Sequence, residues 1–117
     1  MRYKLLGRSG LRVSEICLGT MSFGTQWGFG GDADACREVF DAYRERGGNF
    51  LDTANKYHEG ESERIVGKLV ADDRDRYVIA TKYTLSMASG DPNASGNGRK
   101  NLVRSVEASL RRLGTDY

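Results

Sequence analysis

A carboxylate, a phenol and an amine stand at or just beyond the ends of two short apolar segments in this sequence. Asp52 ends the first segment, Tyr57 follows it by five residues across a polar loop, and Lys82 directly follows the second segment, 77–81. Active-site groups of parallel α/β proteins lie at the carboxyl ends of the strands. An acid, a phenol and an ammonium at strand ends therefore favour catalysis over packing, and we expect the three side chains to meet.

The elements that must position these residues follow a regular order. Two apolar segments, 3–6 and 11–16, flank a glycine-bearing turn and predict a β-hairpin. After the hairpin, strand-like and helix-like segments alternate three times. The predicted strands are 16–19, 49–52 and 77–82, and the predicted helices are 32–46, 62–70 and 98–113. This alternation predicts a parallel α/β architecture.

Each predicted helix carries one apolar stripe. Asp32 and Ser62 are the predicted N-caps of the first and second helices. Helical spacing predicts that the stripes are buried. Their residues are Cys36, Val39, Phe40 and Tyr43 on the first helix, Ile65, Val66, Leu69 and Val70 on the second, and Leu102, Val103, Val106, Leu110 and Leu113 on the third.

Composition and charge narrow the function classes. A chain of 117 residues with 38% hydrophobic residues predicts one small globular domain. Its formal net charge of +2 argues against a nucleic acid or a membrane surface as partner. No apolar run approaches the roughly 20 residues that span a bilayer. The amino terminus lacks the apolar core of a signal peptide, which favours a cytoplasmic location.

The two cysteines predict neither a disulfide nor a metal site. Cys17 and Cys36 form no close pair and no metal-type spacing, which also favours a reduced, cytoplasmic protein. Cys36 lies on the apolar stripe of the first helix, and Cys17 lies in a strand-like segment. We expect both to be small core residues, since no histidine is placed to activate Cys17 as a nucleophile.

The glycines decide between two parallel architectures. The glycines at 28–31 do not directly follow a strand, and the pair at 96–98 lacks a third glycine, so neither forms a dinucleotide-binding fingerprint. Gly19, Asp52 and Lys82 end three successive predicted strands, an arrangement typical of a (β/α)8 barrel. Because a whole barrel takes roughly 250 residues, the sequence predicts about three of the eight βα units.

Four motifs give the sequence a family resemblance. They are Leu18-Gly19-Thr20-Met21-Ser22-Phe23-Gly24, Asn49-Phe50-Leu51-Asp52-Thr53-Ala54 followed by Tyr57, Gly60-Glu61-Ser62-Glu63, and Ala80-Thr81-Lys82. With these motifs, residues 1–117 resemble the N-terminal part of an aldo-keto reductase. The resemblance implies one partial reductase domain over residues 1–117. Its fold would be the N-terminal portion of a (β/α)8 TIM barrel, preceded by a β-hairpin that plugs the bottom of the barrel.

The resemblance also implies an activity. The family reduces aldehydes and ketones to alcohols with NADPH, without metal or flavin. A carbonyl that accepts hydride builds charge on its oxygen and needs a proton, and Tyr57 matches the proton donor of the family. Lys82 matches the lysine whose ammonium stabilises the phenolate. Asp52 would pair with Lys82 and hold it charged and aimed.

Further site residues follow from the same resemblance. Positions matching the nicotinamide end of the cofactor are Gly19, Thr20, Met21 and Asp52. Trp27 resembles a substrate-pocket ring, which would lie with Tyr57 against a small carbonyl substrate. The carbonyl-orienting histidine of the family and most contacts to the 2′-phosphate lie beyond the matching residues. His58 is therefore not assigned to that role, and both the substrate and the choice between NADPH and NADH stay open.

Other interpretations stay open as well. Lys82 at a barrel strand end could form a Schiff base, although a neighbouring Asp52 would keep the amine protonated. Some family members are regulatory subunits that bind the nicotinamide cofactor and contact a channel. Three parallel strands also leave two unpaired edges. A chain of 117 residues is then expected to self-associate, or to be completed by a C-terminal part of the barrel, and to show no carbonyl reductase turnover alone.

Overall fold

The computed structural model describes residues 1–117 and contains a hairpin, a parallel sheet and three helices. The hairpin pairs β1 (Tyr3–Leu5) with β2 (Arg12–Ser14). The sheet contains β3 (Leu18–Gly19), β4 (Phe50–Asp52) and β5 (Val78–Ala80), and the helices are α1 (Ala33–Glu45), α2 (Glu61–Val70) and α3 (Arg99–Leu113). Short 3-10 segments precede and follow α2, at Tyr57–Gly60 and Ala71–Arg76. The predicted hairpin and the threefold strand–helix alternation are confirmed.

The sheet is parallel throughout, with β4 between β3 and β5. Asp52 is level with Gly19 on β3 and with Ala80 on β5, so all three strands end at one edge. Side chains alternate between the two faces of a strand. Leu51 is buried in the core, and the partly buried Leu18 and Ile79 pack against the core. The alternate residues of each strand therefore face away from the helices.

The core lies between the sheet and the first two helices. Its buried residues are Phe23, Cys36, Phe40, Tyr43, Leu51, Ile65, Val66, Leu69, Val70, Tyr77 and Leu113. The predicted stripe of α2 is buried completely, and Asp32 caps α1 by accepting a hydrogen bond from the Ala35 amide at 3.0 Å. The burial of Cys36 is also confirmed.

The hairpin is attached at the amino end of β4. The Asn49 side chain accepts a hydrogen bond from the Ser14 amide at 2.7 Å and donates one to the Arg12 carbonyl at 3.0 Å. The buried Tyr43 hydroxyl of α1 contacts Ser14 Oγ at 2.7 Å and accepts a hydrogen bond from the Phe50 amide at 3.0 Å. The hairpin therefore lies away from the edge where the strands end.

The predicted burial of the α3 stripe is wrong in part. Leu102, Val103 and Val106 are 41%, 37% and 45% exposed, and only Leu113 of the stripe is fully buried. The buried residues of α3 include Asn101 and Ser109. Polar contacts fix the orientation of this helix, since Asn101 donates hydrogen bonds to the carbonyls of Tyr83 and Gly96. Helical spacing shows which side chains share a face but not which face is covered.

Two single-residue predictions on burial are also wrong. Val39 of α1 is 50% exposed, because the buried face of α1 is centred on Cys36, Phe40 and Tyr43. Cys17 is exposed rather than part of the core. Cys17 precedes β3, and its neighbour Ile16 is 63% exposed as well, so the chain enters the strand from the surface.

The prediction that Ser62 is the N-cap of α2 is wrong. Ser62 lies inside the helix and links it to neighbouring strands by hydrogen bonds. The N-cap is Gly60, which offers no side chain, and Ser62 is fully buried in the first turn. Its hydroxyl donates a hydrogen bond to the Thr20 carbonyl at 2.8 Å and lies 3.1 Å from Thr53 Oγ1. Thr20 and Thr53 directly follow β3 and β4, so Ser62 ties α2 to the ends of both strands.

None of the three helices is both long and apolar enough to cross a membrane.

Candidate active site

Asp52, Tyr57 and Lys82 meet at the edge where the strands end. Lys82 Nζ lies 2.7 Å from Asp52 Oδ2 and 3.3 Å from Tyr57 Oη. It also donates a hydrogen bond to the Thr53 carbonyl at 2.9 Å. One ammonium therefore contacts the carboxylate, the phenol and a backbone oxygen. The structure brings together the three side chains that the sequence singled out.

Backbone hydrogen bonds beyond the strands hold this arrangement. The Thr53 amide donates to the Ala80 carbonyl at 2.8 Å, and the Asn55 amide donates to the Lys82 carbonyl at 3.0 Å. These bonds extend the pairing of β4 and β5 past the last residues of the strands. The backbone of Lys82 is thereby fixed against the loop that leads from Asp52 to Tyr57.

The ion pair is accessible to solvent. The side chain of Lys82 is 50% exposed and that of Asp52 is 37% exposed, so the pair contributes little to folding stability. Partial burial lowers the pKa of Lys82, but its hydrogen bonds with Asp52 and Tyr57, together with their charges, outweigh burial and raise the pKa above its ordinary value. Lys82 is therefore a protonated amine at neutral pH, which disfavours the Schiff-base interpretation.

A small cavity opens beside the phenol. Its volume is about 200 Å³, and its lining residues are Trp27, Ala54, Asn55, Lys56, Tyr57, Lys82, Tyr83, Thr84 and Leu85. The indole of Trp27 meets the Tyr57 ring edge-on, with ring centroids 6.3 Å apart and planes at 81°. Lys82 Nζ lies 5.0 Å from the centroid of the Tyr57 ring. The cavity thus has aromatic walls, and Tyr57 and Lys82 are among its lining residues.

Sequence reasoning did not assign Tyr83, Thr84 and Leu85 to this cavity. The available signal is their position directly after Lys82, at the start of a long polar loop. Loops that follow barrel strands commonly form the walls of the site. Local sequence pattern does not indicate which of the loop residues turn inward.

The residues predicted at the cofactor have different surroundings. Gly19 lies level with Asp52 on the neighbouring strand, and no atom lies within 4 Å of the place where a Cβ would stand. Met21 is 52% exposed. Thr20 is fully buried, and its hydroxyl lies 3.1 Å from the Asp52 carbonyl and 2.9 Å from Ser62 Oγ. The Thr20 side chain is therefore hydrogen-bonded within the protein interior, and its contact with a cofactor stays a prediction.

His58 has a role that the sequence did not reveal. It is fully buried and has a positive φ of 48°. Its ring contacts the backbone of Met21 and Trp27 and stacks on the Trp27 indole. Its position beside Tyr57 in the sequence was visible, but the loop that closes around it was not. No group of three or more histidine, cysteine, aspartate or glutamate side chains in residues 1–117 could hold a metal ion.

Comparison with known proteins matches this chain to a family. The model of the Aldo/keto reductase family matches residues 15–117. A norsolorinic acid reductase of Aspergillus flavus is 46% identical over 97% of this chain and 32% of its own length. An aryl-alcohol dehydrogenase of Pestalotiopsis microspora is 42% identical over 99% of this chain and 33% of its own length.

Solved structures give the same result. An aldo-keto reductase of Bacillus halodurans, solved in its holo form, superposes with a TM-score of 0.85 at 36% identity, over 100% of this chain and 38% of that one. A putative aldo-keto reductase of Pseudomonas aeruginosa superposes with a TM-score of 0.81 at 34% identity, over 97% of this chain and 43% of that one. The chain thus spans about one third of the length of the curated relatives it matches.

Proposed function

Because this chain belongs to the aldo/keto reductase family, we propose that it supplies the proton-donating part of a site that reduces aldehydes or ketones to alcohols with NADPH. The observation that carries the proposal is the bridging position of Lys82, 2.7 Å from Asp52 and 3.3 Å from Tyr57. A phenol, an ammonium and a carboxylate in contact are the groups that a carbonyl needs when charge builds on its oxygen.

Tyr57 is the proton donor in this proposal. Lys82 donates a hydrogen bond to Tyr57 Oη, so the hydroxyl hydrogen of the phenol is free to point toward a substrate. In the reduction, the carbon–oxygen π bond breaks, hydride adds to carbon, and the Tyr57 proton adds to oxygen. The phenolate left on Tyr57 is stabilised by the ammonium and regains its proton from water.

Asp52 acts through Lys82. Its carboxylate accepts a hydrogen bond from the amine on one side, and the Thr53 carbonyl accepts another. Two oxygens in fixed positions orient the flexible side chain of a lysine and keep it charged. Asp52 therefore positions the ammonium and gives no proton to the substrate.

The residues at the strand ends fit the nicotinamide end of the cofactor. A bound nicotinamide supplies the hydride of the reaction. Gly19 leaves an open surface beside Asp52, and a larger side chain there would occupy the space that a planar ring needs. Gly19, Met21 and Asp52 would hold this end of the cofactor. Thr20, which is fully buried, would support them from inside through its hydrogen bonds to the Asp52 carbonyl.

Trp27 and Tyr57 form the substrate walls of the proposed site. The edge-on contact between the two rings leaves an aromatic surface beside the phenol. Two relatives are named as a norsolorinic acid reductase and an aryl-alcohol dehydrogenase. We extend the aryl class in the name of the aryl-alcohol dehydrogenase to this chain and propose a small aromatic carbonyl compound as substrate.

A C-terminal part of the barrel completes the site in this proposal. Within residues 1–117, β3 and β5 each pair with β4 alone, and Leu102, Val103 and Val106 of α3 stay exposed. We propose that residues 1–117 alone self-associate or bind a complementing segment, and that they give no turnover by themselves.

The test uses the full-length protein that carries these residues, with NADPH and a benzaldehyde as substrate. Tyr57→Phe removes the proton donor and keeps the ring, so we expect kcat to fall by about 10²–10⁴-fold while NADPH binding persists. Tyr3→Phe, in the hairpin, is the matched control and should keep the parental rate. A Tyr57→Phe variant with parental kcat overturns the proposal. A parental protein that binds NADPH without turnover supports the regulatory interpretation instead.

A further inference from the structure

The loop of residues 20–31 closes around the imidazole of His58. The loop contains Trp27 of the cavity wall, and His58 lies on the turn that also carries Tyr57. His58 is fully buried, and its backbone has a positive φ of 48°. A positive φ is costly for a residue with a side chain, so contacts of the ring must hold this conformation.

Both ring nitrogens are used inside the protein. The backbone amide of Trp27 lies 3.2 Å from Nδ1 and can only donate, so Nδ1 is the acceptor. Nε2 then carries the hydrogen and donates it to the Met21 carbonyl at 3.0 Å. One nitrogen accepts and the other donates, so these two contacts select a single tautomer. The ring has neither the access nor a free nitrogen to orient a substrate carbonyl.

The ring also packs on the aromatic residues of the loop. The Trp27 indole stacks on the imidazole with centroids 4.7 Å apart and planes at 28°, and the Phe29 ring meets it edge-on at 5.3 Å. Glycines make this closure possible. A Cβ at Gly24 would lie 2.8 Å from His58 Cβ and Cγ, and a Cβ at Gly30 would lie 3.2 Å from Cε1.

Two carboxylates hold the same loop from its outer side. Glu61 accepts hydrogen bonds from the amides of Thr25 and Gln26 at 2.9 and 3.3 Å. The indole N–H of Trp27 donates to Glu59 at 3.3 Å. Glu59 is exposed and pairs with Lys56, so its hold on the indole is open to water. His58 is the buried support of the Trp27 backbone and ring face.

We propose that His58 is a positioning residue that fixes Trp27 as the aromatic wall beside Tyr57 and so selects aromatic over short aliphatic carbonyl substrates. The inference rests on the proposed function for its substrate readout. Tyr57 and His58 are adjacent on one turn, so the imidazole that supports Trp27 lies next to the proposed proton donor. Without the imidazole, Trp27 would lose its stacking partner and the acceptor for its amide.

Two variants separate the ring from the backbone strain. His58→Gly removes every side-chain contact, and it also removes the strain of the positive φ, because glycine adopts such angles freely. His58→Asn tolerates the positive φ, and its side-chain oxygen can replace Nδ1 as the acceptor for the Trp27 amide. We expect His58→Gly to lower the ratio of kcat/KM for benzaldehyde over kcat/KM for propanal by about tenfold, an effect of the size that loss of one apolar contact produces. The change should lie mainly in KM, and His58→Asn should restore part of it.

Tryptophan fluorescence gives a readout that needs no catalysis. Trp27 is the one tryptophan among the 117 residues, and subtracting the spectrum of Trp27→Phe isolates its signal in the full-length protein. In His58→Gly we expect a red-shifted emission and at least twofold stronger quenching by acrylamide, with His58→Asn in between. Unchanged quenching in a folded His58→Gly protein overturns the positioning role. Stronger quenching with an unchanged substrate ratio overturns the selectivity. If the parental protein reduces no carbonyl compound, the proposed function fails, while quenching still decides whether His58 holds Trp27.

Discussion

The Lys82 ammonium donates a hydrogen bond to the Tyr57 hydroxyl at 3.3 Å across two successive βα units. The two residues are 25 positions apart in the chain and meet because the parallel register of β4 and β5 aligns the ends of the strands. An ammonium that donates to the phenol oxygen distinguishes Tyr57 from the other tyrosines of the chain. The predictions on catalysis depend on this contact.

Replacing Lys82 by methionine removes the charge and keeps a side chain of similar length. We expect kcat of the full-length protein with NADPH and a benzaldehyde to fall by about 10²–10⁴-fold, since the phenolate loses its stabilising ammonium. Lys68→Met, at an exposed position of α2, is the matched control and should keep the parental rate. A Lys82→Met variant that retains the rate would mean that Tyr57 works without the ammonium.

The pH dependence of the rate should reveal the effect of Asp52 on Lys82. Burial lowers the pKa of Lys82, and the hydrogen bonds and charges of Asp52 and Tyr57 raise it above its ordinary value. Asp52→Asn removes one of the raising contributions, so the pKa of Lys82 falls. Because the proposal requires a protonated Lys82, the alkaline limb of the kcat profile should move to lower pH.

The sign of the stability effect follows from the same shift. A lysine whose pKa is raised in the folded state stabilises the fold below its unfolded pKa, near 10.4, and loses this contribution as pH rises through the folded value. Asp52→Asn should therefore leave the pH dependence of unfolding unchanged between pH 6 and 8.

Asp72→Asn, in an exposed turn, is the control for the pH profile of kcat. An alkaline limb that stays in place in Asp52→Asn would contradict the role assigned to Asp52.

The part of the site that could be predicted depends on residues that are close together in the sequence. Apolar segments that end on Asp52 and Lys82 located the end of β4 at Asp52 and that of β5 to within two residues, at Ala80. A parallel sheet must bring such ends to one edge. The placement of His58 depends on a loop that folds back over more than 30 residues of sequence, through bonds to Met21 and Trp27. Such long-range backbone contacts leave no periodic signal.

The same distinction explains the errors in the fold. Ser62 has the residue type of an N-cap, but the Thr20 carbonyl and the Thr53 hydroxyl offer it buried partners in space. The α3 stripe is amphipathic in sequence, yet contacts from other faces of the helix decide its orientation. Local propensity was overridden where tertiary hydrogen bonds competed with it.

The buried ion pair between Glu63 and Arg112 is expected to support the position of Lys82 from behind. Glu63 is fully buried, its carboxylate accepts a hydrogen bond from Arg112 Nε at 2.6 Å, and the side chain of Arg112 is 16% exposed. The second oxygen of Glu63 accepts a hydrogen bond from Thr81 at 2.6 Å. Thr81 directly precedes Lys82, so the pair joins α2, α3 and the end of β5.

Removal of one partner should therefore be costly. Arg112→Met leaves the Glu63 carboxylate buried without its counter-charge, and we expect the free energy of unfolding to fall by about 3–5 kcal/mol, measured by urea denaturation of the full-length protein. The double variant Glu63→Leu with Arg112→Met removes both charges and should recover much of that loss. Arg111→Met, at an exposed position of α3, should change the free energy by less than about 0.5 kcal/mol. If the double variant is as unstable as Arg112→Met, lost packing and not an unpaired buried charge is the cause.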